Sequence, residues 1–287
     1  MIKIINAEKS MEEQLKKLWN TCFEHDEEFC EFFFENIFDP QRAIVAADDN
    51  GGIYSALHYL NSLYKDSSGQ VKPTFYVYGV ATSPMHRKKG YASMLLSQLK
   101  ARAVEQGICA LYLTAEESAW NCYERFGFNR NARLSRTDFA PRKCSEIRWR
   151  QCAFDKFSRL HGEYLDSLND EFFWSGSELK FMYHDIRRDG EILTTAYGGR
   201  EYYAAVRLRD DELIIIETNF PREHGNLLAG SIATHFDSHD TVSIFGPEDK
   251  FFGGDGVIKT ENFYIGHTLF IDGGISPESV YMNLLAD

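Results

Sequence analysis

The order of elements along the chain predicts a mixed α/β architecture laid down twice. Two observations carry this. Each half shows helices, three strands, a further helix and another strand, and in each half an arginine and a glycine stand between the third strand and the helix that follows. Placing residues 80–95 over 215–230 with one constant shift puts Arg87 on Arg222 and Gly90 on Gly225. At 287 residues and 44% hydrophobic, the chain can bury two cores.

In the first half the pattern predicts a strand over 2–6, helices over 12–23 and 28–37, and strands over 42–47 and 53–61 joined by the hairpin turn Asp49-Asn50-Gly51-Gly52. A strand over 74–82 is closed by Ser83-Pro84. Met94, Leu95, Gln98, Leu99 and Arg102 then recur at helical spacing, and Gln106-Gly107 ends that helix. Residues 108–114 read as a buried strand and 118–126 as a short helix. The stretch 136–152 mixes Pro, Lys, Arg and Ser without periodicity, so the expected division is a domain over 1–137, a linker over 138–152 and a second domain over 153–287. Beyond it, helices over 153–168 and 177–187 precede strands over 191–197, 202–208 and 212–218, a helix over 227–236 and a strand over 241–245. A loop over 245–256 leads to two more strands, 257–260 and 266–271.

Composition narrows the class. No run approaches the roughly 18 consecutive apolar residues of a membrane span, and the opening residues are charged too early for a signal peptide, so a soluble, cytoplasmic protein is expected. Six cysteines without a C-x-x-C pair suggest free thiols and no zinc site. A formal charge of -12 argues against nucleic-acid binding and is compatible with a cationic acceptor.

Arg87-Lys88-Lys89-Gly90-Tyr91-Ala92-Ser93 places three cations and a glycine where a strand passes into a helix. The N–H groups of a first helical turn lack internal acceptors, the helix dipole adds positive potential, and glycine removes the side chain that would hold a phosphate off the backbone. By itself R-x-x-G-x-A is a short pattern. Its setting after Val80-Ala81-Thr82-Ser83-Pro84 resembles the pyrophosphate-binding signature of the GNAT acyltransferases, [RQ]-x-x-G-x-[GA] behind a hydrophobic strand. The resemblance continues in Ala119-Trp120-Asn121-Cys122-Tyr123-Glu124-Arg125-Phe126-Gly127-Phe128, which is similar to the family's A-x-x-x-Y-x-x-x-G-F ending. Together the two motifs span roughly the first 130 residues. The implied fold is a mixed, mostly antiparallel sheet with helices on both faces. One departure stands out: many members carry Asn seven residues before the tyrosine, and this chain has Glu116.

The resemblance implies an acetyl-CoA-dependent N-acetyltransferase that needs no metal, in which a primary amine of a small-molecule or peptidic acceptor attacks the thioester directly. The coenzyme would lie along Val80, Ala81 and Thr82, with its pyrophosphate on Arg87, Lys88, Lys89, Gly90, Tyr91, Ala92 and Ser93, and would reach Ala119 and Tyr123. A backbone donor near Val80 would hold the oxyanion, and Tyr123 would protonate the departing thiolate. Most tyrosines on short helices simply pack with the hydroxyl at the edge of the core, and only the Y-x-x-x-G-F setting singles out Tyr123. The base is open. Glu116 could act through water although an exposed carboxylate is its plainer description, and His86 is a bystander beside the turn. A loose resemblance to the two-domain enhanced-intracellular-survival acetyltransferases adds the terminal carboxylate of Asp287.

The second half reads as a GNAT-like copy without an intact coenzyme site, because Pro221-Arg222-Glu223-His224-Gly225 keeps the glycine, adds an acid and offers one firm cation. Glu24, Glu27, Glu28, Glu31 and Glu35, interleaved with Phe29, Phe32 and Phe33, are most simply a solvated face over a core face. They could also border an amine pocket. Two alternatives remain: a non-catalytic coenzyme A-binding regulatory or scaffold protein, and an acyltransferase that uses a longer acyl-CoA.

Overall fold

Runs of buried residues in the strands, such as 43–47 and 74–78, and burial at helical spacing, as of Leu15, Leu18 and Trp19, fix the elements close to their expected places. The computed structural model describes residues 1–23, 27–209, 212–238, 241–271 and 276–282. In chain order these are β1 (Ile2–Asn6), α1 (Glu12–Cys22), α2 (Glu27–Asn36), β2 (Ala43–Asp48), β3 (Ile53–Lys65), β4 (Val71–Thr82), α3 (Tyr91–Glu105), β5 (Ala110–Thr114), α4 (Glu117–Phe126), β6 (Asn129–Phe139) and β7 (Arg150–Gln151). They continue with α5 (Phe154–Leu165), β8 (Glu171–Phe173), α6 (Gly176–Ile186), β9 (Gly190–Tyr197), β10 (Arg200–Arg209), β11 (Glu212–Thr218), α7 (Gly225–His235), β12 (Thr241–Pro247), β13 (Val257–Phe270) and β14 (Tyr281–Met282).

Two compact units result, and neither is continuous in sequence. The first comprises Met1–Leu63, Lys72–Arg130 and His267–Ser276; the second comprises Tyr64–Val71, Asn131–Gly266 and Pro277–Asp287. Each unit is completed by a strand from the other half of the chain. In the first, residues 267–270 of β13 lie beside β5 in the order β1-β2-β3-β4-β5-β13, and Ile271 N–H donates to the Cys109 carbonyl at 2.8 Å. In the second, β6 lies antiparallel to β12, with Val242 opposite Phe139 and Pro247 opposite Leu134. The stretch expected as a linker, 138–152, therefore contains the end of β6 and all of β7. The two strands expected at 257–260 and 266–271 are one strand, β13. Local periodicity cannot reveal that a strand has been lent to another sheet, because an exchanged strand carries the same alternation as one that stays home.

In the first unit β1–β2 and β2–β3 are antiparallel pairs, the second of them a hairpin, and β4–β5 is parallel with α3 as its crossover. One face of the sheet packs under α3 and α4 through Leu57, Phe75, Val77, Leu95, Leu99, Leu111, Leu113, Phe128 and Leu269. The other face carries His58, Tyr76, Tyr78 and Tyr112, and Trp19, Phe29 and Phe33 from α1 and α2 pack there, with Trp19 stacked on Phe33 at 5.1 Å. In the second unit the same succession recurs: β9–β10–β11 antiparallel, α7, then β12 parallel to β11.

Candidate active site

A change of alternation in β4 prepares the site. Phe75 and Val77 point into the core under α3, two residues apart as a strand requires, but the next residue on that core is Val80. The extra residue is Gly79, with φ +56°, the left-handed conformation of a bulge glycine. No other residue fits there. A Cβ on Gly79 would fall 2.5 Å from the Trp19 ring and 3.1 Å from His58 Nδ1. The bulge rotates the backbone of Val80, Ala81 and Thr82 relative to the strand before it.

Beside the bulge the sheet opens. The β4–β5 ladder runs from Thr74 opposite Ala110 to Tyr76 opposite Tyr112 and stops there, although both strands continue. Residues 77–82 thus present backbone to a gap on the β5 side. The floor of the divergence is filled by the fully buried rings of Tyr76 and Tyr112, 5.0 Å apart, whose hydroxyls bond Thr114 Oγ1 (2.7 Å) and Ser62 Oγ (2.6 Å).

From the gap the chain enters the strand-to-helix turn. Ser83 N–H donates to the Tyr54 carbonyl at 2.9 Å, a 3₁₀ turn spans Pro84–His86, and Arg87 Nε returns to the Thr82 carbonyl at 3.2 Å. Lys88 and Gly90 both adopt positive φ, +63° and +82°. Met94 N–H is the first to reach a helical acceptor, Gly90 C=O at 3.0 Å. Among the described residues the N–H groups of Tyr91, Ala92 and Ser93 therefore have no backbone acceptor. Arg87, Lys88, Lys89 and Gly90 are exposed, and a Cβ on Gly90 would meet nothing within 4 Å. Free donors, a helix N-terminus, three cations and open space together suit a pyrophosphate. His86 lies flat on Tyr54, with ring centroids 4.0 Å apart, and its position is explained by that stacking.

Tyr123 is on α4, half-buried against the core shared by Val80, Tyr91 and Ala115. Its motif has a plain structural basis. Gly127 takes φ +104° and caps α4, its N–H donating to the Glu124 carbonyl at 3.0 Å, while Phe128 is buried and its N–H donates to the Tyr123 carbonyl at 3.1 Å. Burial pushes the Tyr123 phenol up to about 12, so it stands protonated at neutral pH. Ala119 is half-buried one turn before it, and Trp120 Nε1 donates to the Ala115 carbonyl at 2.8 Å. Glu116 is the exposed N-cap residue of α4 and makes no side-chain capping bond. Asp287 and Glu24 lie outside the described residues. On α2, Phe29, Phe33 and Phe34 are buried and Phe32 is half-buried; Glu27, Glu28, Glu31 and Glu35 are exposed, and Glu31 pairs with Lys16 at 2.5 Å.

Two histidines that sequence patterns did not single out belong to this neighbourhood. His58, on β3, is walled by Trp19, Phe33, Phe34 and Phe38 at centroid distances of 5.4 to 5.9 Å, and desolvation drives it down to about 4, hence neutral. His267, on the returning part of β13, is fully buried beneath Trp120 and Tyr123 (6.1 and 6.3 Å), and burial lowers its pKa too. Neither could be found from spacing, because the only signal is a polar residue on an apolar strand face.

The turn of the second unit is closed. The β11–β12 ladder likewise stops early, at Ile215 opposite Ile244, yet a Cβ on Gly225 would meet Gly253 O, Phe139 Cζ and Phe252 Cβ, each at 2.8 Å. Gly253 N–H donates to the Arg222 carbonyl at 2.8 Å, and the buried Phe252 donates its N–H to Thr137 Oγ1 at 3.0 Å. The Phe252-Gly253 loop occupies the place that an anion would need.

Among the described residues, no group of three or more His, Cys, Asp or Glu side chains is arranged to hold a metal, and no helix is long and apolar enough to cross a membrane. The family model described as an acetyltransferase (GNAT) domain matches residues 3–130. No curated protein sequence matches the chain. Among solved structures it is similar to a GCN5-related N-acetyltransferase from Anabaena variabilis ATCC 29413 (TM-score 0.76, 13% identity, 94% of this chain and 73% of that one). It is similar also to a probable N-acyltransferase from Enterococcus faecalis V583 (TM-score 0.75, 14% identity, 95% and 73%) and to Eis1 from Mycobacterium abscessus (TM-score 0.70, 11% identity, 95% and 74%). At these identities the likeness is one of fold.

Proposed function

We propose that this chain, whose residues 3–130 match a GNAT acetyltransferase domain, is an acetyl-CoA-dependent N-acetyltransferase acting on a primary amine. The observation that carries this reading is the continuous path from the open edge of residues 77–82 to the free helix N-terminus behind Gly90. Along that path the Val80, Ala81 and Thr82 backbone would hold the pantetheine arm, and Arg87, Lys88, Lys89 and the N–H groups of Tyr91, Ala92 and Ser93 would hold the pyrophosphate. The amine attacks the thioester carbonyl and the oxyanion takes a hydrogen bond from backbone N–H near Val80. As the C–S bond breaks, Tyr123 gives its proton to sulfur.

The buried Tyr76–Tyr112 pair fills the base of the gap, which favours a short acyl group such as acetyl over a long chain. A cationic acceptor suits the net charge of -12 and the exposed carboxylates Glu27, Glu28 and Glu35 on α2. Glu116, at the exposed start of α4, would take the ammonium proton through water. The second unit, with its turn filled by Phe252-Gly253, is a GNAT-like copy that has given up its coenzyme site. The expected setting is cytoplasmic.

Calorimetric titration of acetyl-CoA tests the reading. Micromolar binding is expected for the wild type and none for Gly90→Glu, which puts a carboxylate where the pyrophosphate belongs. Because a side chain at φ +82° is strained, Lys89→Glu and a thermal melt separate lost binding from lost folding. No heat with wild-type protein would overturn the assignment.

A further inference from the structure

We propose that His267 is a positioning residue for Tyr123, returning a proton to the phenol after each turnover. The inference rests on the reading of Tyr123 as the acid. Its starting point is an unpaid polar group: His267 is fully buried, and neither Nδ1 nor Nε2 has a hydrogen-bond partner among the described residues. A buried imidazole with both nitrogens unmatched is rare enough to call for a partner, and the surroundings restrict what that partner can be. Trp120 and Tyr123 cover the ring at 6.1 and 6.3 Å, and Trp120 spends its N–H on the Ala115 carbonyl. Among the described residues the Tyr123 hydroxyl makes no hydrogen bond, and it is the group we pair with the imidazole, through one bridging water.

The other side of the ring leads outward. His267 Nε2 lies 4.0 Å from Glu124 Oε1, and that half-exposed carboxylate is 3.6 Å from Arg130, whose guanidinium covers Trp120 at 4.6 Å. Glu124, Arg130 and Tyr123 are thus the ionisable groups around the imidazole. When Tyr123 has given its proton to the thiolate, a phenolate remains in a half-buried site. The imidazole gives its N–H proton, through the water, to the phenolate, and its other nitrogen takes one that arrives from solvent by way of the half-exposed Glu124 carboxylate. The phenol is restored and the imidazole is left neutral as its other tautomer, which reverts by proton exchange along the same path before the next turnover; the proton released to solvent by the amine balances the one taken up. The burial that keeps His267 neutral at rest keeps it ready to accept.

Nitrogen-15 spectroscopy of the full chain labelled at histidine tests the coupling without needing an acceptor. His267→Gln identifies the His267 signals among the nine histidines. In otherwise wild-type protein, Tyr123→Phe is expected to move the His267 ring signals and leave those of distant histidines in place; unmoved His267 signals would overturn the proposal. With an acceptor amine in hand, His267→Gln should lower kcat by about tenfold, the scale of one lost hydrogen bond to a charged group, with the KM for acetyl-CoA unchanged. That loss should vanish in a Tyr123→Phe background, and an undiminished loss there also overturns the proposal. Failure of acetyl-CoA to bind would sink the functional reading instead, and the histidine signals of the free protein would still decide the coupling.

Discussion

At Gly90 the chain turns into α3 with a left-handed backbone, exposed cations and nothing within 4 Å of a would-be side chain; at Gly225 it turns into α7 with φ -58° and three neighbours at 2.8 Å. Both turns follow a strand whose parallel ladder stops short of its end, so the same topology makes the same opening twice. What differs is the use of the space. In the first unit the space before the helix is open. In the second, the Phe252-Gly253 loop and its aromatic ring fill the space, with Gly253 N–H donating to the Arg222 carbonyl. A glycine kept in a motif can therefore serve two physical ends: room for an anion, or room for the chain itself.

The comparison is broken most sharply at Tyr123, on α4 of the first unit. Tyr123→Phe should lower kcat by roughly a hundred- to ten-thousand-fold with little change in acetyl-CoA affinity, measured by thiol release with any productive amine. Unchanged kcat would move the acid elsewhere and leave the first turn as a binding site only.

Next comes an opposition in pH dependence. His58 in the first unit has a folded value near 4, below the ordinary 6.5, so the folded state binds fewer protons than the unfolded state between those values. Its contribution is complete above pH 6.5 and is lost as pH falls toward 4, by on the order of 3 kcal/mol. Glu171 in the second unit is pushed up to about 7, because desolvation outweighs Lys65 at 2.9 Å. There the sign reverses: the contribution is complete below 4.5 and is lost as pH rises through 7. Urea denaturation between pH 4 and 8 should show the acid-side loss removed by His58→Phe and the alkaline-side loss removed by Glu171→Gln. Parallel curves for either variant and the wild type would refute that residue's part.

The smallest effect sharpens the contrast between the glycines. Gly225→Ala should cost about 1–3 kcal/mol by overpacking against Phe139, Phe252 and Gly253 and leave acetyl-CoA binding untouched. Weakened binding by that variant, at intact folding, would show that the second turn still bears on the coenzyme.

Much of this was readable from the chain. The turn proposed to hold phosphate is legible because three of its determinants are contiguous: the end of β4, the cations Arg87, Lys88 and Lys89, and Gly90 at the start of α3. The helix-ending Gly127 and buried Phe128 likewise announce themselves, since cap chemistry is local. Gly79, a glycine within a strand, signals a bulge, but nothing local says which way the next residues will turn. His58 and His267 could not be found, as their meaning depends on what covers them.

The sequence by itself determined the succession of elements, the family resemblance and the residues proposed to meet a phosphate, because periodicity, caps and turns act over a few residues. Only the tertiary structure decided that β13 crosses to complete the first unit and β6 the second, that the Gly225 turn is filled, and that His267 lies under Tyr123. Those facts depend on strand partners and buried neighbours far apart in the chain, and hydrogen-bonded ladders and desolvation select them only when the whole molecule is packed.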